Sequence, residues 1–232
     1  MKQKRDNLMY EKPFVLFDFD GTLMDSVYAD VLAWQEAYIA HGYSVPSWRI
    51  HRLNGAQGSL VRTVLRRDLG IDMSDDEFAA ITDHAIKAYH RFSHLVQPAP
   101  GAQKILYKLN KLDIPWAIAT SGSGSTLTHL LGKIGVDPHT ATVVTRDNAK
   151  YAKPSPEIFL QAADVLGFPM QRGYIVGDSV WDMLAAKRAG GTAIGVRTGG
   201  YGDEELFQKS AIAVYDDLND LCSHLPDVGI LP

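Results

Sequence analysis

The chain has little cysteine, no long apolar run and no excess of positive charge. Its one cysteine, Cys222, cannot form an internal disulfide and has no cysteine or histidine at zinc-binding spacing, which indicates a reducing compartment. No apolar stretch approaches the roughly 18 residues of a membrane-spanning helix, and residues 1–7 do not lead into a signal peptide. We therefore predict a cytoplasmic protein that does not bind membranes.

The charge balance argues against another class of partner. The 232 residues include 23 Lys and Arg against 27 Asp and Glu, a formal net charge of -4. A chain without a net positive field does not attract a nucleic-acid backbone, so we expect no nucleic-acid partner. With 46% hydrophobic residues, the composition suits a globular protein of one large domain or two smaller ones. Both a monomer and a homodimer are compatible with it.

Hydrophobic periodicity divides the chain into two kinds of structure. Phe14–Phe17 is a short apolar run that predicts a buried strand. Residues 24–98 show apolar spacings of three and four, which predict helices, interrupted by a polar, glycine-containing loop at 52–59. From residue 99 onward, apolar strands alternate with helices, which predicts βαβ units and a parallel sheet covered on both faces. We therefore predict an α/β core at 1–23 and 99–232 with an inserted all-helical cap at 24–98.

The predicted elements after residue 99 form a regular series. The strands are expected at Trp116–Ala119, Thr142–Thr145, Gly173–Val176, Thr192–Val196 and Ala211–Val214. The helices are expected at Ala102–Leu112, Thr126–Ile134, Pro156–Leu166, Trp181–Ala189 and Asp203–Gln208. Ligands of such sheets bind beyond the carboxyl ends of the strands, so polar residues at those ends are candidate site residues.

Four groups of polar residues occupy these positions. They are Asp18 and Asp20, then Thr120-Ser121-Gly122, then Lys153, and finally Asp178 with Asp182. Together they suit phosphoryl transfer, because a carboxylate can approach a phosphate dianion only after a metal ion and a fixed cation neutralise its charge. Hydroxyl and backbone N–H groups such as those of residues 120–122 can cradle phosphate oxygens.

The same residues suggest individual roles. Asp18 is the predicted nucleophile, and Asp20 is the predicted acid that protonates the leaving oxygen and then activates water. Lys153 supplies the cation. Mg²⁺ prefers oxygen ligands, here Asp18, the backbone carbonyl of Asp20, and Asp178. Asp182, one helical turn after Asp178, is expected to hold a metal-bound water or to orient Lys153.

These segments resemble the four motifs of the haloacid dehalogenase superfamily, in the same order. Asp18-Phe19-Asp20-Gly21-Thr22 is similar to the first motif, Thr120 to the second, Lys153-Pro154 to the third and Gly177-Asp178 through Asp182 to the fourth. The cap position resembles that of phosphoglycolate phosphatases and β-phosphoglucomutases. The resemblance implies a Rossmann-like three-layer core, a mobile helical cap, and hydrolysis of a small phosphorylated metabolite.

The resemblance also bears on the alternatives. Dehalogenases carry tyrosine and phosphonatases alanine where this chain has Asp20, which argues against both. β-Phosphoglucomutases carry histidine where this chain has Asp30 and lysine where it has Asn54, which favours hydrolysis while leaving the mutase as the alternative. A noncatalytic protein that binds a phosphorylated metabolite is the third hypothesis. By resemblance, the cap loop contacts the leaving group, with Arg52, Asn54 and Gly55 as its candidate residues.

Overall fold

A six-stranded parallel sheet lies at the centre of the molecule. The computed structural model describes residues 12–122 and 124–231. Within them the strand order is β5-β4-β1-β6-β7-β8, and every neighbouring pair is parallel. The strands are β1 (Phe14–Phe17), β4 (Trp116–Ala119), β5 (Val143–Val144), β6 (Gly173–Gly177), β7 (Thr192–Val196) and β8 (Ala211–Tyr215). The predicted α/β fold is confirmed.

Strand β1 shows why the sheet needs helices on both faces. Successive side chains of a strand point to opposite faces, so Val15 and Phe17 enter one apolar cluster while Phe14 and Leu16 enter the other. The first cluster includes helices α5 (Ala102–Lys111), α6 (Gly124–Lys133) and α10 (Leu218–Ser223). The second includes α7 (Glu157–Leu166), α8 (Val180–Ala189) and α9 (Asp203–Gln208). The result is the three-layer arrangement expected of a Rossmann-like core.

The segment between β1 and α5 forms a separate helical insert. Its helices are α1 (Val27–Ala40), α2 (Ser47–Leu53), α3 (Gly58–Leu69) and α4 (Asp75–Phe92). All four contribute buried side chains to a third apolar cluster. The predicted loop at 52–59 is too long, because buried Ile50 and Leu53 extend α2 to Leu53 and α3 begins at Gly58.

A short antiparallel ribbon joins the two ends of the insert. Strand β2 (Met24–Asp25) pairs with β3 (Gln97–Pro98), so the chain leaves the core and returns to it at one place. This ribbon coincides with the predicted limits of the cap, although the division into two domains stays a prediction. Residues 1–11 and 232, which that division assigns to the core, lie outside the described residues. Within the described part of the chain, no helix is both long and apolar enough to cross a membrane.

Candidate active site

The central strands bring the predicted site residues to one edge of the sheet. Asp18, Thr120 and Asp178 directly follow β1, β4 and β6, and β1 lies between the other two. The backbone N–H of Asp18 donates to the Val176 carbonyl at 2.9 Å, which continues the pairing of β1 with β6. The chain extends the sheet from β1 first through β4 and β5 and then, on the other side, through β6 to β8. Such a reversal of strand order is where ligands bind in open α/β sheets.

Lys153 connects two buried carboxylates at this edge. Its Nζ contacts Asp18 Oδ1 and lies 2.7 Å from Asp182 Oδ1. Ser179 Oγ donates to Asp182 Oδ2 at 2.6 Å, so the start of α8 orients the Asp182 side chain. Burial alone would lower the pKa of Lys153, but Asp18 and Asp182 raise it above its ordinary value. The lysine is therefore a fixed cation.

Asp178 is held by hydrogen bonding and by close packing. Thr22 Oγ1 donates to Asp178 Oδ1 at 2.8 Å inside the protein. On the other side, a Cβ added to Gly199 would lie 1.7 Å from Asp178 Oδ2. A side chain at residue 199 would occupy the position of the Asp178 carboxylate, so the turn after β7 requires glycine there.

The carboxylates form a group that fits a divalent cation. Asp18, Asp178 and Asp182 each offer an oxygen, and these oxygens lie within 4.8 Å of one another. Burial raises the pKa of Asp18 to about 7 although Lys153 opposes the shift, and burial also raises the pKa of Asp178 well above its usual range. Three carboxyls face one ammonium group, so a hard cation with oxygen ligands would complete the charge balance. The backbone carbonyl of Asp20, which the sequence analysis gave as a further metal ligand, stays a prediction.

Asp20 lies apart from this group. Ser26 Oγ donates to Asp20 Oδ1 at 2.6 Å, and the carboxylate borders the cavity described below. Burial raises the pKa of Asp20, while the hydrogen bond from Ser26 and the charge of Lys153 oppose the shift. A raised pKa favours the protonated form of a carboxyl group, which can donate a proton. The arrangement suits the acid role predicted from the sequence.

The loop after β4 provides the candidate phosphate contacts. Thr120 is buried, and its Oγ1 accepts a hydrogen bond from the backbone N–H of Gly122 at 2.9 Å. Ser121 Oγ is buried and, within the described residues, has no hydrogen-bond partner. An unpaired buried hydroxyl is unfavourable, so this oxygen is suited to contact a bound oxyanion. All three residues line the same cavity as Asp18 and Lys153.

That cavity lies between the sheet edge and the helical insert and has a volume of about 460 Å³. Asn54 and Gly55, both predicted substrate contacts, lie in its wall. Arg52 is positioned differently. Its guanidinium pairs with Glu205 and stacks on Tyr201 at 4.4 Å, and it is not among the described lining residues. The structure therefore favours a role for Arg52 in holding the insert against the core over the predicted substrate contact.

Several lining residues were not identified from the sequence. Asp30 and Tyr89 enter the cavity from the insert, and Arg146 and Lys150 enter it from the core. Asp30 entered the sequence analysis only through its alignment with a histidine, and Tyr89 resembles an ordinary core residue of a helix. The Arg146 loop gave one usable signal, since it follows a strand at the carboxyl edge of the sheet. Asp30 and Tyr89 could be assigned to the cavity only once the packing of the insert was known.

Comparisons with known proteins identify the family of this chain. Residues 14–190 match the family described as haloacid dehalogenase-like hydrolase. A phosphoglycolate phosphatase of Neisseria meningitidis is 34% identical over 200 residues, covering 84% of each chain. Hexitol phosphatase A of Escherichia coli strain K12 is 33% identical over 188 residues, covering 78% of this chain and 81% of that protein.

Solved structures extend the agreement to the whole fold. A hydrolase from Pseudomonas syringae has a TM-score of 0.91 and 40% identity, covering 94% of this chain and 99% of that chain. A putative β-phosphoglucomutase from Bacteroides vulgatus has a TM-score of 0.81 at 24% identity, covering 97% and 93%, and shows the fold alone. The family match spans most of the chain and includes the strands that carry Asp18 and Asp178. This chain is an enzyme and belongs to the haloacid dehalogenase-like hydrolases.

Proposed function

We propose that this enzyme is a Mg²⁺-dependent phosphatase that hydrolyses a phosphate monoester of a small metabolite through an aspartyl phosphate on Asp18. The observation that carries the proposal is the buried ion pair of Lys153 with Asp18 and Asp182. Lys153, Asp18 and Asp178 line the cavity between the sheet edge and the helical insert. The names of the relatives described above include two phosphatases, which supports the same reaction class.

Asp18 is positioned as the nucleophile by its partner. Lys153 contacts Oδ1 of Asp18, which leaves Oδ2 to approach the phosphorus atom. The same ammonium group offsets the charge that accumulates when a carboxylate approaches a phosphate dianion. The unpaired Ser121 Oγ and the backbone of the loop after β4 can hold the phosphate oxygens in line for this attack. A Mg²⁺ ion, when bound by the carboxylates, supplies further neutralisation of the phosphate charge.

Asp20 carries the proton in both halves of the reaction. In its protonated form it donates to the leaving oxygen as the bond to phosphorus breaks. The resulting carboxylate then accepts a proton from the water that attacks the aspartyl phosphate. The hydrogen bond from Ser26 fixes one oxygen of Asp20 at 2.6 Å, so the other oxygen is the one available for proton transfer.

The test is release of inorganic phosphate from a panel of phosphorylated metabolites, measured with Mg²⁺ and with a chelator. The panel includes 2-phosphoglycolate, hexitol phosphates, sugar phosphates and nucleoside monophosphates. We expect Mg²⁺-dependent release by the wild type and none by Asp18→Asn, which serves as the blank for contaminating phosphatases. Release that persists in Asp18→Asn or in chelator would contradict the proposal.

The mutase alternative is separated by the phosphoryl acceptor. A phosphatase transfers the group to water, so phosphate release equals substrate consumption. A mutase transfers it to a sugar hydroxyl and consumes a sugar phosphate with little release of phosphate. Following both quantities with β-glucose 1-phosphate therefore distinguishes the two reactions. A pure protein that binds these compounds without converting them would instead support the noncatalytic hypothesis.

A further inference from the structure

The wall of the cavity next to Asp20 contains polar groups that the proposed chemistry does not use. Tyr89 of α4 is only 7% exposed, and Asp30 of α1 is half-buried. Both line the cavity, and both lie close enough to Asp20 for its charge to raise their pKa values. Because Asp20 must reach the leaving oxygen, groups beside it meet the first atoms of the leaving group.

The Tyr89 hydroxyl lies beside Ser26, which lowers the pKa of Tyr89 as a hydrogen-bond partner would, but no hydrogen bond of normal geometry reaches this hydroxyl within the described residues. Ser26 Oγ itself donates to Asp20. A buried hydroxyl left unpaired costs about 1–3 kcal/mol, so such groups are usually satisfied by protein, water or ligand. The position of this oxygen in a cavity wall indicates a polar atom of the bound molecule.

The charges around Asp30 restrict what that molecule can be. Burial raises the pKa of Asp30 to about 7, Asp20 raises it further, and a hydrogen bond from Trp34 opposes the shift. A carboxylate or second phosphate placed here would face two acidic groups, Asp20 and Asp30, which is unfavourable. A hydroxyl group can instead donate to Asp30 and accept from Tyr89.

We propose that Asp30 and Tyr89 bind hydroxyl groups of the leaving group, so that the preferred substrate is the phosphate monoester of a neutral polyol or sugar. This inference rests on the proposed phosphatase function. The cavity volume of about 460 Å³ leaves room for a leaving group several carbons long.

The opposite wall of the cavity defines the competing possibility. Arg146 and Lys150 line the cavity from the core, and both are exposed. They are the cations that could receive an anionic leaving group such as that of 2-phosphoglycolate. Their exposure places them at the rim, whereas Asp30 and Tyr89 lie inward beside Asp20. The two walls therefore predict different substrates and different sensitive residues.

The experiment compares pairs of phosphate esters that differ only in hydroxyl groups. Erythritol 4-phosphate is matched with butyl phosphate, and 2-phosphoglycolate provides the anionic case. We expect wild-type kcat/KM to favour erythritol 4-phosphate over both other esters by about 100-fold, about 10-fold for each of the contacts with Asp30 and Tyr89. Tyr89→Phe and Asp30→Asn are each expected to reduce the ratio of erythritol 4-phosphate to butyl phosphate by about 10-fold.

The control variants identify the cause of any change. Tyr43→Phe removes a hydroxyl from a half-buried tyrosine of the insert whose hydroxyl donates to Glu77 outside the cavity lining, and it should leave the ratio unchanged. A preference for 2-phosphoglycolate that disappears in Arg146→Gln/Lys150→Gln would overturn the inference. So would a ratio unaffected by both Tyr89→Phe and Asp30→Asn in folded proteins.

A binding measurement shows whether this inference or the proposed function has failed. Calorimetry with Asp18→Asn, Mg²⁺ and the same esters needs no turnover. Absence of phosphate release from every ester would refute the phosphatase proposal. Tighter binding of erythritol 4-phosphate than of butyl phosphate, lost on adding Tyr89→Phe, would still support the hydroxyl contact. Equal binding of the two esters would reject it.

Discussion

The two walls of the cavity, one from the core and one from the helical insert, differ in how their polar groups are paired. On the core wall, buried charged groups hold one another, since Lys153 pairs with Asp18 and Asp182. On the insert wall, the Tyr89 hydroxyl has no hydrogen bond of normal geometry within the described residues, and burial and the charge of Asp20 raise the pKa of Asp30. A wall with internal partners keeps its geometry before the substrate arrives, whereas a wall with open polar groups gains its partners from the substrate. Changes on the core wall should therefore affect turnover, and changes on the insert wall should affect substrate choice.

The largest effect is expected at the nucleophile. Asp18→Asn removes the attacking carboxylate while keeping the side-chain shape, so kcat should fall by about 10⁴-fold or more with the fold retained. Phosphate release and circular dichroism of the same preparation measure the two properties. Asp164→Asn, on an exposed position of α7, is the matched control and should keep wild-type activity. A folded Asp18→Asn protein with full activity would show that Asp18 is not the nucleophile and that the core wall does not carry out the reaction.

The close packing of Asp178 gives the next effect. In Gly199→Ala, the new Cβ would lie 1.7 Å from Asp178 Oδ2, so the carboxylate must move. We expect the Mg²⁺ concentration for half-maximal activity to rise by about 10- to 100-fold, the usual cost of disturbing the support of a metal ligand. Gly202→Ala is the control, because the nearest atom to its Cβ is Glu205 Oε2 at 3.7 Å. Equal Mg²⁺ requirements in the two variants would contradict the assignment of Asp178.

On the insert wall, Asp30 should make stability depend on pH. Its pKa is raised to about 7 in the folded protein, so the unfolded chain releases this proton at lower pH than the native state does. The favourable contribution of the protonated group is present at low pH and is lost as pH rises through 7. Asp30→Asn removes the penalty of ionisation, and the variant should be stabilised relative to wild type at pH 8 more than at pH 5.

The size of this difference in stability between pH 5 and pH 8 follows from the pKa shift of Asp30. Each pKa unit corresponds to about 1.4 kcal/mol, and solvent at this half-buried site reduces the effect to on the order of 2 kcal/mol. Urea unfolding at the two pH values measures it. Asp164→Asn, which removes a carboxyl group at an exposed position, again serves as control. A pH-independent effect of Asp30→Asn would mean that the insert wall does not bury this carboxyl group.

The same contrast explains what could be predicted from the sequence. The core residues Asp18, Thr120 and Asp178 follow short apolar strands, and the edge of a parallel sheet brings such positions together whatever the details of packing. Periodicity therefore predicted the fold and the placement of these residues at one edge of the sheet. The strand limits differed by only one or two residues, as at β5, because the pairing partners and not the apolar pattern determine where a strand ends.

The insert wall could not be predicted in this way. Asp30 and Tyr89 lie on two different helices, 59 positions apart in the printed sequence, and only the packing of α1 against α4 brings them to one cavity. Arg52 shows the converse. The resemblance of its loop to that of the family suggested a substrate contact, but Arg52 lies in the helix that ends at Leu53, and its guanidinium pairs with Glu205. Helical periodicity predicts which face is buried, but not which distant residue will cover it.

The smallest predicted effect concerns how the two walls are held together. Arg52 of the insert pairs with Glu205 of the core, and its backbone carbonyl accepts hydrogen bonds from Trp181 Nε1 and the Tyr201 hydroxyl, both at 3.1 Å. Both charged side chains are more than a third exposed, so their coupling energy should be about 0.2–1 kcal/mol. A double-mutant cycle with Arg52→Met and Glu205→Gln measures it through unfolding.

The effect on KM distinguishes an ion pair that joins the two walls from an ordinary surface ion pair. If the pair favours the closed cavity, Arg52→Met should raise KM by about 1.4- to 5-fold, the factor that corresponds to such a coupling energy, with little change in kcat. Arg91→Met breaks an ion pair with Glu36 that lies wholly within the insert, so it should leave KM unchanged. Added salt should reduce the effect of Arg52→Met because it screens exposed charges. An unchanged KM in Arg52→Met would show that this ion pair does not help to hold the two walls together.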